Sequence, residues 1–336
     1  MKEAMLYSKR GGGEVECHLC HHRCVIRPGK RGICEVRENR DGTLVSLVYR
    51  QLIARHIDPI EKKPLFHFHP GSQSYSIATV GCNFQCVFCQ NCSISQMPRD
   101  TGRIEGADVA PEAIVADAGR LECATISYTY TEPTIYFEYA YDTSRLAHEA
   151  GIKNVWVSNG YMTPEALETI GPYLDGINVD LKAFNPDTYT RLCKAKLDGV
   201  LETLRLFRPR GIWLEITTLV IPGINDGEEE LRRIAGFIAS LGPEVPWHVS
   251  RFHPDYRMND RGPTPARTLA RAVEIGRAAG LRYVYAGNLP GDANEHTYCP
   301  SCGKRVIERW GFTLGSCDVE AGACRFCKTP IDGVGL

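Results

Sequence analysis

The stretch GCNFQCVFCQN, residues 81–91, sets Cys82, Cys86 and Cys89 in a C-x3-C-x2-C spacing directly after a β-rich run. Four-iron clusters ordinarily take four thiolates. Three cysteines on so short a loop reach one cubane together and leave its fourth iron without a protein thiolate. That corner is an open coordination position, comparable to the one a catalytic zinc keeps. A zinc knuckle completed by a ligand elsewhere in the chain is the other reading of the same three residues.

Outward from this loop the sequence alternates. Residues 75–80, 124–130, 154–158, 176–181, 213–220, 247–252 and 283–286 read as strands, with helical segments between them. Pro111 leads into EAIVADAGRL, Thr163-Pro164 into EALETI, and Asn225-Asp226 into GEEELRRIAGFIASL, each a good helix start. Strand–helix alternation implies a parallel sheet with helical crossovers. The expected fold is α/β: a partial or complete (β/α) barrel over residues 63–290. A cysteine-rich metal-binding segment over 1–62 precedes it, and a zinc-ribbon-like segment over 291–336 follows.

Each expected strand ends in polar residues. The cysteine trio follows the first, Thr131 and Glu132 the second, and Ser158 and Asn159 close the third. Asp180 and Lys182 end the fourth, Glu215 and Thr217 lie on the fifth, Arg251 and His253 end the sixth, and Asn288 follows the seventh. Barrels of this kind gather such strand ends at one mouth, where the active site sits.

The 336 residues are 43% hydrophobic and 24% charged, as a well-packed globule requires, and the net charge of −1 gives no basic field for nucleic acid or membrane. No run approaches the roughly 18 apolar residues that a bilayer demands. The opening MKEAMLYSKRGGGEVE lacks the apolar stretch of a signal peptide, so a cytoplasmic location is expected. In a reducing compartment, 15 cysteines point to ligation rather than disulfides. Cys123 and Cys193 stand alone and read as core thiols.

Two further cysteine groups flank the barrel. Cys299 and Cys302 form one C-x2-C knuckle and Cys324 and Cys327 a second, the pattern of a zinc ribbon, with Cys317 spare. An auxiliary iron–sulfur cluster or unligated thiols are the alternatives there. Cys17, Cys20, Cys24 and Cys34 are spaced C-x2-C-x3-C-x9-C, for which zinc is the first expectation and a four-iron electron-transfer cluster the second. His18, His21 and His22 are nearby alternative ligands or simply solvated side chains. A segment of about 60 residues builds little core, so a structural metal is the usual remedy.

C-x3-C-x2-C with Phe88 before its last cysteine resembles the signature of the radical S-adenosylmethionine (SAM) superfamily. The resemblance implies a [4Fe–4S] cluster on Cys82, Cys86 and Cys89 whose open iron chelates SAM, and reductive cleavage of SAM to a 5′-deoxyadenosyl radical. It leaves Cys92 out of the ligand set. YTEPT (130–134), VSNGY (157–161), NVDLK (178–182), EITTLVIPGIND (215–226) and FHPDY (252–256) resemble stretches of glycyl-radical activating enzymes such as pyruvate formate-lyase activating enzyme. By that likeness Phe88, Thr131, Glu132, Ser158, Asn159, Asp180, Lys182 and His253 surround SAM, with Glu132 as partner of its ammonium. An Asp180–Lys182 ion pair at a strand end is the blander reading of those two. CHLCHHRCVIRPGKRGICEVREN (17–39), DPIEKKPLFHFHPGS (58–72), CPSCGKRVIERWGF (299–312) and CRFC (324–327) extend the likeness, across nearly the whole chain, to the AmmeMemoRadiSam-system radical SAM enzymes.

These likenesses imply an enzyme reduced by an external one-electron donor, a ferredoxin or flavodoxin. Its radical abstracts hydrogen from a substrate, with a protein or RNA expected. A glycyl-radical activase is the second reading. A non-catalytic metal-binding scaffold or electron-transfer protein is the third.

Overall fold

In the computed structural model, which describes residues 1–289 and 291–336, the apolar runs pair side by side into one eight-stranded sheet. Its strands are β1 (Ala54–Pro59), β2 (Gln73–Ala78), β3 (Thr125–Tyr128), β4 (Lys153–Ser158), β5 (Gly176–Asp180), β6 (Trp213–Val220), β7 (Trp247–Arg251) and β8 (Val284–Gly287). β2 to β8 run parallel and lie in chain order, while β1 adds an antiparallel edge beside β2. Strand order that never reverses separates a barrel from a doubly wound sheet. Among the described residues no pairing joins β1 or β2 to β8, so the barrel is open.

The parallel strands are buried on both faces: all four residues of β3 are, with Ile126 and Tyr128 on one face and Thr125 and Ser127 on the other. The crossovers carry α1 (Pro111–Arg120), α2 (Phe137–Glu149), α3 (Pro164–Ile170), α4 (Leu197–Phe207), α5 (Glu228–Leu241) and α6 (Ala266–Ala278). α5 buries Leu231, Ile234, Ala235 and Ile238, an i, i+3, i+4, i+7 stripe, and opens with Glu228, Glu229 and Glu230 where the helix dipole favours acids. The Thr163 hydroxyl caps α3 by accepting from the Ala166 amide.

The N-terminal segment is not a separate unit. It folds as two small three-stranded sheets, and its Val15, Leu19, Ile26, Val36 and Leu44 belong to the same apolar core as Tyr75, Ile77 and Val80. Because β1 lies within residues 1–62, the main sheet begins before the expected boundary. The other expected boundary falls on Pro290, outside the described residues. At the C-terminal end, β9 (Thr297–Tyr298), β10 (Arg305–Trp310) and β11 (Thr313–Cys317) form an antiparallel sheet with a core of Val306, Ile307 and Ile331. Arg309 of β10, fully buried, donates to the Phe66 carbonyl at 2.6 Å and ties this sheet to the barrel. No helix among the described residues is long and apolar enough to cross a membrane.

Candidate active site

The cysteine loop starts at Gly81, whose φ of +101° suits glycine alone. A Cβ there would also stand 2.7 Å from Val36 Cγ1 and 3.3 Å from the Cys34 carbonyl. Phe84 and Phe88 anchor the loop in the core. The Gln85 and Val87 amides donate to the carbonyls of Cys193 and Leu192 at 2.9 and 3.0 Å. The Phe84 amide donates to Cys82 Sγ at 3.3 Å, and Cys89 Sγ lies 3.1 Å from the Ser95 hydroxyl.

The three cysteines open into a cavity of about 490 Å³ at the C-terminal mouth of the sheet. Phe88, Thr131, Glu132, Ser158, Asn159, Asp180 and Lys182 also line it, with Thr217 and Ser250 from β6 and β7. Four residues depart from expectation, Arg251 and Asn288 among them, since neither lines the cavity. His253 is exposed and is not among the lining residues, because the chain turns outward after buried Phe252. Glu215 sits near the start of eight-residue β6, away from the mouth. There it accepts the Phe66 and His67 amides at 3.0 and 2.8 Å and meets His248 Nε2 at 2.7 Å.

Glu132 is 1% exposed, and its carboxylate accepts from the Thr134 amide (3.0 Å), the Thr134 hydroxyl (2.6 Å), the Ser158 hydroxyl (2.8 Å) and the Asn159 amide (2.8 Å). Burial nevertheless raises its pKa. With four donors from its own chain, Glu132 braces the ends of β3 and β4 against each other. Lys182 Nζ meets Asp180 at 2.9 Å. Burial works against its charge, but Asp180 and the Cys86 sulfur outweigh burial and hold the amine protonated.

Lys63 is a lining residue that pattern reading missed. It is 1% exposed, paired with Asp58 at 2.6 Å, and burial brings its pKa down to about 8 despite that partner. Its sequence signal was the charged pair before Pro64, on a segment quoted above only for its family likeness.

The donor sets differ in their spread. Tetrahedral zinc with Zn–S bonds of about 2.3 Å holds its thiolates about 3.8 Å apart. Among the described residues, one group of three or more ligating atoms lies within 4.8 Å of one another: Cys299, Cys302, Cys324 and Cys327. There Cys299 and Cys327 are 3.6 Å apart and Cys302 and Cys324 are 3.8 Å apart, as zinc requires. Cys317 stays exposed on β11, outside the group.

Cys82, Cys86 and Cys89 share one cavity but spread wider than a zinc set, which fits a cluster giving each thiolate its own iron. Burial, and next to it Glu132, pushes the Cys82 thiol well up. A bound iron would reverse this, since the ligand is the thiolate. Cys92 begins a short helix and does not line the cavity, and Cys193 is buried beside Cys86.

Cys17, Cys20, Cys24 and Cys34 also line one small cavity together. Unlike the C-terminal quartet, they are not drawn together to within 4.8 Å of one another. Each nearby histidine has another partner: His18 Nε2 the Ser8 hydroxyl, His21 Nε2 the Thr203 hydroxyl and His22 Nε2 the Asn83 carbonyl.

The Radical SAM superfamily model matches residues 76–235. An uncharacterized protein of Methanocaldococcus jannaschii is 47% identical over 335 residues, 99% of either chain. The pyruvate formate-lyase-activating enzyme of Streptococcus mutans is 24% identical over 52% of this chain and 68% of its own. A solved domain of pyruvate-formate lyase-activating enzyme from Bacteroides vulgatus superposes with a TM-score of 0.44 at 18% identity, over 49% of this chain and 99% of that one. The matched segment contains the cysteine loop and the ends of β3, β4 and β5, which supply most of the cavity lining, while Lys63 and Ser250 lie outside it. This chain belongs to the radical SAM superfamily and is an enzyme of that kind.

Proposed function

We propose that Cys82, Cys86 and Cys89 hold a [4Fe–4S] cluster and that SAM binds beside it, against Thr131, Ser158, Asn159, Asp180 and Lys182. The observation that carries this reading is the single cavity on which the wide-set thiols and these polar strand ends converge. A cluster held there would supply the electron for reductive cleavage of SAM, the start of radical chemistry.

The chain's own residues orient the cofactor. Lys182 offers a cation to the carboxylate of SAM and Asp180 an anion to its ammonium, and the pair holds both charges in place beforehand. Glu132, its oxygens engaged by Thr134, Ser158 and Asn159, acts by fixing the strand ends. Phe88 packs beneath the loop and keeps water from its inner side.

The substrate we infer is a macromolecule, a protein or RNA, and the reductant a ferredoxin or flavodoxin. Whole-chain likeness to the AmmeMemoRadiSam group, a cytoplasmic location and zinc in the C-terminal quartet belong to the same reading. A glycyl-radical activase is the second reading, favoured by the likeness to a pyruvate formate-lyase-activating enzyme. Superfamily membership removes the ground for the non-catalytic scaffold.

The test is anaerobic reconstitution with iron and sulfide, followed by dithionite and SAM. The wild-type protein is expected to release 5′-deoxyadenosine and Cys86→Ala to release none. Equal background release from both would end the proposal. A doublet electron paramagnetic resonance (EPR) signal on a glycyl-radical partner would select the activase.

A further inference from the structure

The N-terminal cysteines pack against the barrel mouth. The His21 amide donates to the Tyr161 carbonyl at 3.0 Å and the Thr163 amide to the Leu19 carbonyl at 3.2 Å, which docks the Cys17–Cys24 turn on the loop after β4. From the other side, Gly81 lies against the Cys34 carbonyl. Asn83, the residue after Cys82, lines the N-terminal cavity, and its carbonyl meets His22 Nε2 at 2.9 Å. One residue step therefore separates the two cysteine sites.

The N-terminal cavity carries unmet polar demand. Arg37 and Asn83 line it and are 1% and 0% exposed. Arg37 Nε and Nη1 and Asn83 Nδ2 are buried without any hydrogen-bond partner. Buried donors of this kind are costly unless something accepts from them. Arg37 already pairs through Nη2 with buried Glu138 at 3.1 Å, so what is missing is acceptors for Nε, Nη1 and Asn83 Nδ2, which the sulfide and thiolate sulfurs of a cluster would supply.

Two observations oppose zinc. The four sulfurs lie wider than a tetrahedral set, while the C-terminal quartet of the same chain closes to 3.6 and 3.8 Å. The argument for a structural metal also lapses, because the surrounding residues already share the main apolar core.

From this geometry, and resting on the SAM-cleaving role proposed above, we propose that Cys17, Cys20, Cys24 and Cys34 hold a second iron–sulfur cluster. It accepts one electron from the external flavodoxin- or ferredoxin-type donor and passes it on to the cluster on Cys82, Cys86 and Cys89.

The test counts metals in the anaerobically purified full-length protein and records EPR spectra after reduction. About six or eight irons with about one zinc per chain supports the proposal; about four irons with two zincs overturns it and leaves SAM cleavage untouched. A Cys82→Ala, Cys86→Ala, Cys89→Ala variant is expected to keep the N-terminal iron and a reduced-state EPR signal that SAM does not alter. Cys17→Ser with Cys34→Ser is expected to keep the SAM-responsive signal. That variant should release 5′-deoxyadenosine with dithionite but at least about tenfold more slowly with flavodoxin. Equal rates with flavodoxin would overturn the relay. If the alanine variant loses no iron, the SAM-site reading fails by itself. Should either variant misfold, the wild-type metal count still decides.

Discussion

Asn159 donates from Nδ2 to the side-chain oxygen of Asn83 at 2.7 Å, which fastens the end of β4 to the residue next to Cys82. The same side chain accepts from the Tyr161 amide at 3.1 Å, and both asparagines are buried. Asn159→Ala removes both bonds and strands the Asn83 oxygen. A loss of about 1–3 kcal/mol in denaturant stability is expected, together with lower iron retention after desalting. Unchanged retention would show that the cysteine loop holds its shape without β4.

Glu132→Gln probes the brace. Each of its four partners donates, so the amide nitrogen of glutamine must face a donor in any rotamer. Urea unfolding is expected to shift by about 2–3 kcal/mol. Glu132→Asp keeps the charge but shortens the reach and should fall between. If Glu132 instead holds the SAM ammonium, Glu132→Gln will weaken SAM binding while stability stays unchanged.

Lys182→Met removes the cation from the cavity and leaves Asp180 alone. One charge-assisted contact is worth about 1.5–3 kcal/mol, so SAM affinity should fall by about 10- to 150-fold, measured by anaerobic equilibrium titration. Iron content should stay at the wild-type level, since Lys182 is no ligand. Asp180→Asn is expected to weaken binding less, because the amide still accepts from an ammonium.

The barrel was largely legible because parallel strands covered on both faces read as short apolar runs; residues 213–220 match β6 residue for residue. β1 escaped because ARHIDP, half exposed on an antiparallel edge, has neither alternation nor an apolar run. Thr131, Ser158, Asn159, Asp180 and Lys182 reach the cavity because they close short strands or follow them within three residues, and the C-terminal ends of short strands are close to fixed by length. β6 is longer, and its Glu215 belongs to the opposite end. His253 lies two positions past β7, as Lys182 does past β5, but there the chain turns outward after buried Phe252, a direction no periodicity encodes. Cysteine spacing predicted all three groups but not their sulfur separations, which depend on loop packing such as Gly81 against Cys34.

The C-terminal quartet should be separable from the rest. Its small sheet holds a core of only Val306, Ile307 and Ile331 beside two of the cysteines, too little to stand without a metal. Cys324→Ser is expected to remove about one zinc per chain and to expose residues beyond 296 to limited proteolysis. Iron content should not change. Because Arg309 also meets buried Glu61 at 3.6 Å and the Asp332 carbonyl lies 2.6 Å from His67 Nδ1, loosening of this segment should lower the Tm of the barrel as well.

His67 sets an acid limit on stability. It is fully buried, with Nε2 2.5 Å from the Tyr285 hydroxyl and Nδ1 2.6 Å from the Asp332 carbonyl. Burial lowers its pKa to about 4, although Glu215 pulls the other way. The unfolded chain has an ordinary histidine pKa of about 6.5, so between these values the unfolded state binds the extra proton. Stability therefore rises with pH in this window: it is whole above about pH 6.5 and is lost as pH falls toward 4, by up to about 3 kcal/mol. Burial lowers His21 and His22 as well, with the same sign. The measurement is the urea midpoint at pH 7.5, 6.5, 5.8 and 5.0, above the range where ordinary carboxylates protonate; Glu132 and Glu61, raised by burial, are present in both proteins compared. His67→Gln is expected to be less stable at pH 7.5 but to show a clearly shallower decline than wild type. Parallel declines in the two proteins would assign the acid sensitivity to the other histidines.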